Sequence, residues 1–94
     1  MVIANIAHAG DGNLHPLIVA PVGDDAAKER AKAAFDRIVA DCLDLGGTVT
    51  GEHGVGLLKL PGVRAELGPR VLELHRAVKH ALDPAGTLNP GKAF

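Results

Sequence analysis

Tryptophan and tyrosine are absent from this 94-residue sequence, and phenylalanine occurs only twice. Its core must therefore be built from Ala, Val, Leu and Ile. Cysteine occurs once, which excludes a disulfide framework and a cysteine-based zinc ribbon. Neither sign of charge dominates: 10 Lys and Arg stand against 11 Asp and Glu, for a net charge of −1. That balance excludes the basic footprint of a nucleic-acid binder. Long apolar runs are missing too. The strongest, Leu14 to Val22, is too short to span a bilayer, and no basic leader precedes it. The chain is expected to be soluble and cytoplasmic, with no transmembrane segment and no nucleic-acid partner. Its length suits one small domain with a marginal core. What is abundant is glycine, 12 residues in 94, well above the usual share of roughly 7%. Glycine is entropically costly, so tight turns or close approach to a ligand must offset it.

Residues Val2 to Ala9 and Leu14 to Val22 are predicted strands, joined at Asp11-Gly12, a strong hairpin signal. Pro16 and Pro21 restrict the second strand to an edge or a bulged position. Asp24 or Asp25 would cap a helix over Ala26 to Leu45, whose apolar stripe is Ala27, Ala31, Ala34, Phe35, Ile38, Cys42 and Leu45. Lys32/Asp36 and Arg37/Asp41 stand at i,i+4 spacing, and Gly46-Gly47 ends the helix. Thr48-Val49-Thr50 is a predicted short strand leading into the glycine-rich Gly51–Gly56 loop. A helical turn is expected at Pro61 to Leu67. A second helix is expected at Pro69 to Leu82, with Val71, Leu74, Val78 and Leu82 buried and Asp83-Pro84 as the stop. The order predicts an α+β fold: an antiparallel hairpin plus at least one further strand, covered by two main helices.

Two histidines flank the turn. Pairing centred on Asp11-Gly12 sets His8 opposite His15 on one face, with Cβ atoms about 4.5–5.5 Å apart, close enough for both to converge on a divalent metal. On spacing alone, two unrelated histidines on a solvated strand fit equally well. Glu52-His53, between glycines, offers a third ligand and a neighbouring base. Adjacent side chains in an extended loop diverge, so Glu52 could bind metal while His53 stays available as a proton acceptor. A surface loop with a solvated carboxylate is the plainer alternative. Lys59 could reach an anionic substrate or be simply solvated. Asp11 and Asn13 are explained by turn chemistry. His75 is expected to pack in the core, His80 to lie on the surface near its helix's C-terminus, and Cys42 to act as a small core residue.

Three segments carry a resemblance: H-A-G-D-G-N-L-H-P from His8 to Pro16, G-E-H-G-V-G from Gly51 to Gly56, and D-P-A-G-T-L-N-P-G-K from Asp83 to Lys92. Together they resemble the C-terminal domain of FAD-linked oxidases, flavoenzymes of the vanillyl-alcohol-oxidase type that act on 2-hydroxy acids. The members that oxidise glycolate or D-lactate look most similar. The resemblance implies that His8, His15 and Glu52 bind a divalent metal, Zn, Mn or Fe, which holds the substrate's carboxylate and hydroxyl. It implies that His53 takes the hydroxyl proton while a hydride passes to the flavin, and that Asn89 lies near the flavin.

The family's FAD-binding domain, about two hundred residues long, has no counterpart in the sequence, and no dinucleotide fingerprint is present. The FAD domain would then be supplied in cis or in trans. The chain is expected to be a C-terminal fragment, a truncated product or one piece of a split enzyme, inactive alone. The alternatives are a catalytically silent domain that self-associates, as a homodimer, through uncovered apolar surface, and a simple metal-binding module.

Overall fold

The computed structural model describes residues 1–93. The chain forms two compact units, Met1–Gly47 and the residues from Thr48 on.

The first unit holds strand β1 (Val2–His8), a 3-10 turn (Ala9–Asp11), strand β2 (Asn13–Val19) and helix α1 (Asp25–Asp44). The strands pair antiparallel from Val2↔Val19 to His8↔Asn13. The turn ends at Gly12, whose φ of 72° lies in the left-handed region that glycine adopts without steric cost. Pro16 sits within β2, opposite Asn5. A ribbon of only two strands has nothing but edges, so the missing N–H is tolerated.

Helix α1 begins as its sequence predicts. The Asp24 carboxylate accepts the Ala27 N–H at 2.9 Å and satisfies one of the open donors of the first turn. The expected charge pairs form on its outer side, Lys32–Asp36 at 2.7 Å and Arg37–Asp41 at 2.8 Å. Ala27 is buried, and Ala31, Ala34, Phe35, Ile38 and Cys42 continue the inward row half-buried. Leu45 departs from the expected stripe. It is the C-cap residue and is 89% exposed, because the chain leaves the helix there. The Gly46 N–H donates to Leu43 and the Gly47 N–H to Cys42, the paired bonds of a Schellman ending. α1 lies against β2. β1, in contrast, is exposed along its whole length.

The second unit contains helix α2 (Leu60–Glu66), helix α3 (Pro69–Leu82) and a turn-rich tail. Two expectations fail in it. Thr48-Val49-Thr50 does not form a strand. Its β-branched residues favour extended backbone, but no strand pairs with it, and a side chain takes its buried donor instead: the Val49 N–H donates to the Glu66 carboxylate at 3.1 Å. In α3 the inward face is turned by one residue. Leu72, His75 and Lys79 are half-buried, whereas Val71, Leu74, Val78 and Leu82 are exposed. The half-buried row is the one that carries Lys79, which donates to the capping Asp83 and to the Leu88 carbonyl of the tail. Among the described residues the buried apolar side chains are Ala27, Val49 and Val63, all small. The fold class is nonetheless the α+β arrangement expected, an antiparallel hairpin with helices.

Candidate functional site

The hairpin brings His8 and His15 together, though not by direct pairing. The register sets His8 opposite Asn13 and Ile6 opposite His15. The connection is centred on Gly10-Asp11, one residue earlier than the Asp-Gly signal suggests. That shift displaces the partners by two positions and so preserves the face. The two histidines are diagonal neighbours, within reach of long side chains. Their rings meet edge to face with centroids 5.2 Å apart and planes at 85°. Their ligating nitrogens lie within 4.8 Å of each other. Two imidazoles at that spacing can turn onto one ion with bonds of about 2.0–2.1 Å, so the donor pair fits a divalent metal. His15 is half-buried and His8 exposed.

Glu52 and His53 lie in the second unit, at the bend that follows Thr50. The loop is bent, not extended, so the two side chains do not diverge as expected. His53 Nε2 stands 3.9 Å from Glu52 Oε1, and both side chains face solvent. Three hydrogen bonds shape this loop. At its entry the Val49 N–H donates to Glu66. Within it the Gly54 N–H donates to Thr50 Oγ1 at 2.9 Å. At its exit the Ala93 N–H donates to the Gly56 carbonyl at 2.8 Å. Lys59 follows directly as the N-cap residue of α2, half-buried.

The tail is organised by Asp83, the one buried charged residue among those described. Its carboxylate accepts the Leu88 N–H at 3.0 Å and the Thr87 N–H at 3.2 Å, and it pairs with Lys79. Lys79 Nζ also donates to the Leu88 carbonyl at 2.6 Å. The Lys79 ammonium and the tail amides hold the Asp83 carboxyl down, from 3.8 to about 2. Asn89 follows with a φ of 43°, and its carbonyl accepts the Lys92 N–H at 3.2 Å, closing the N-P-G-K turn. A cavity of about 310 Å³ in this unit is lined by Val49, Val63 and Leu67, with Glu66 and His75 at its polar side.

The described chain, residues 1–93, matches the family model for FAD linked oxidases, C-terminal domain. The chain belongs to that family. It is 44% identical over 92 residues to the glycolate oxidase subunit GlcD of Bacillus subtilis, covering 98% of this chain and 20% of that protein. Against the Escherichia coli K12 glycolate oxidase subunit GlcD the identity is 41% over 90 residues, 96% of this chain and 18% of that protein. The mitochondrial D-lactate dehydrogenase (cytochrome) 1 of Saccharomyces cerevisiae is 40% identical over 94 residues, 100% of this chain and 16% of that protein. This FAD-linked oxidase domain therefore spans a fifth or less of the length of these curated relatives. No helix among its described residues is long and apolar enough to cross a membrane.

Two residues of this domain escaped the sequence reading as organisers of the site. Asp83 carries a usable signal, since an aspartate before Pro-Ala-Gly commonly accepts the amides of the turn it starts. Glu66 carries none, because its partner Val49 lies 17 positions away.

Proposed function

We propose that this domain is the metal- and substrate-binding part of an FAD-dependent dehydrogenase of 2-hydroxy acids, of the glycolate- or D-lactate-oxidising kind. The observation that carries the reading is the His8–His15 pair, two imidazoles on one sheet face with their nitrogens within 4.8 Å, inside a segment of the family's pattern. Glu52 adds a carboxylate to the two imidazoles, and a donor set of that composition suits Zn²⁺, Mn²⁺ or Fe²⁺. A bound divalent ion supplies Lewis acidity toward the substrate's hydroxyl and carboxylate oxygens. FAD, held by an FAD-binding domain in cis or in trans, supplies the hydride acceptor. His53 then takes the hydroxyl proton at a ring nitrogen, leaving the 2-oxo acid as product. Lys59 adds positive charge next to the loop for the substrate carboxylate, and Asn89 contributes the flavin-facing turn. The working compartment in this reading is the cytoplasm.

Metal content tests the reading. The chain loaded with Mn²⁺ or Zn²⁺ and desalted should retain metal, and His8→Ala with His15→Ala should lose it. Unchanged content in the double variant would sink the ligand assignment.

A second reading is favoured by one observation, the exposed stripe Val71, Leu74, Val78 and Leu82 on α3. It has the domain as a catalytically silent, self-associating unit with a second copy covering that stripe. Sedimentation of the chain separates the two. A colourless dimer that Val78→Lys converts to monomer supports the second reading, and a yellow protein reduced by glycolate refutes it.

A further inference from the structure

We infer that Glu66 is a positioning residue for the Glu52-His53 loop, holding its entry through the Val49 N–H while the tail holds its exit through Gly56. The inference rests on the proposed roles of Glu52 and His53 and adds to them a residue outside the loop.

A glycine-rich loop has little intrinsic order. Gly51, Gly54 and Gly56 leave its backbone many conformations, and a ligand or base must sit within a few tenths of an ångström of its working position. Order has to come from outside the loop, and the second unit supplies it at both ends. α2 starts soon after the loop and runs for one short helix, so its last residue returns to the segment before the loop. There Glu66 accepts the Val49 N–H at 3.1 Å. Val49 is 9% exposed and lines the same cavity as Val63, and its bond to Glu66 is part-buried. Thr50, the next residue, passes that order on: its hydroxyl accepts the Gly54 N–H at 2.9 Å across Glu52 and His53. At the far end Ala93 donates to the Gly56 carbonyl at 2.8 Å. The tail can do so because Asp83 has already fixed Thr87 and Leu88. Glu52 and His53 thus lie on a short bend between two anchored points.

Glu66 acts as an acceptor in this scheme, and its charge is secondary. A glutamine keeps a side-chain carbonyl oxygen that can accept in place of Oε2, whereas an alanine has none. The test compares Glu66→Ala and Glu66→Gln in the full chain. One readout is amide hydrogen exchange at Val49 and Gly54. The other is affinity for Mn²⁺ alone. Glu66→Ala should speed exchange at both amides by about tenfold or more, as expected for losing a bond to a charged acceptor. It should weaken Mn²⁺ binding by about tenfold, the low end of the effect of removing a ligand's direct hydrogen-bond partner, because Glu66 acts through the loop backbone. Glu66→Gln should restore both to within about threefold of wild type, the smaller loss left by a neutral acceptor. Unchanged exchange in Glu66→Ala overturns the inference. So does a Glu66→Gln variant that falls as far as Glu66→Ala, since charge rather than position would then matter. If Glu66→Ala unfolds, Thr50→Val takes its place. It should speed exchange at Gly54 while sparing Val49, and no change at Gly54 overturns the anchoring scheme. A wild-type chain that binds no Mn²⁺ would defeat the ligand role of Glu52, and the exchange measurements would still decide the positioning role.

Discussion

The rings of His8 and His15 meet edge to face across a hairpin that pairs neither residue with the other. Their meeting depends on parity. Strand side chains alternate with a period of two, so any register that moves the partners by an even number keeps both imidazoles on one face. One glycine inserted between Asp11 and Gly12 therefore has a sharp expected outcome if β2 repairs by one position: His15 moves to the opposite face. Zn²⁺ affinity measured by calorimetry should fall by at least about a hundredfold, more than the loss of an outer-shell partner. Inserting two glycines should leave far more of the binding. Equal affinity in both insertion variants would show that the histidine pair is not the metal-holding element.

His53 and Glu52 are neighbours with separable proposed tasks. In the enzyme assembled with its FAD domain, His53→Ala should retain its metal content and lose about 10²–10⁴-fold in kcat, the usual worth of a positioned general base. Glu52→Ala should lose metal as well as turnover. Elemental analysis beside steady-state kinetics distinguishes them. A His53→Ala variant that turns over normally would remove the base from the scheme.

Local chemistry made much of this legible beforehand. The cap at Asp24, the charge pairs on α1, the glycine ending at Gly46-Gly47 and the proline start of α3 are each set by residues a few positions apart. The face shared by His8 and His15 also followed from alternation. The misjudged features depend on what each segment packs against, which local pattern does not specify. Val49 looked like a strand residue because its β-branched neighbours favour extended backbone, yet its donor goes to Glu66. The apolar stripe of α3 looked inward because periodicity identifies an apolar face without saying what covers it. Leu72, His75 and Lys79 form the half-buried row instead.

Asp83 predicts an acid dependence with a defined sign. Its carboxyl titrates at about 2 in the folded chain and at 3.8 otherwise, held down first by the Lys79 hydrogen bond and then by the Leu88 amide. A depressed folded value means that the contribution is complete above about pH 4 and is lost as pH falls through about 2. Asp83→Asn should unfold at lower urea than wild type near neutral pH, and that gap should close between about pH 4 and pH 2. Urea titrations across this range measure it, and a gap independent of pH would contradict the assignment.

Gly47 illustrates a glycine required by space. A Cβ built on it would lie 2.5 Å from Cys42 Sγ and 2.9 Å from the Cys42 carbonyl oxygen. Both are closer than real Cβ atoms approach, and the carbonyl belongs to the last turn of α1, where Gly47 donates its own N–H. Relief would need a shift of the helix end or loss of that bond. Gly47→Ala should therefore destabilise the chain by about 1–3 kcal/mol, the usual cost of overpacking. In a domain of this size each kcal/mol lowers the thermal midpoint by about 4–8 °C. Gly10→Ala is the matched control, because its Cβ would meet nothing within 4 Å. It should change stability by no more than about 0.5 kcal/mol. Calorimetric melts of both variants check the pair, and equal midpoints would mean that the α1 ending accommodates a side chain that its geometry excludes.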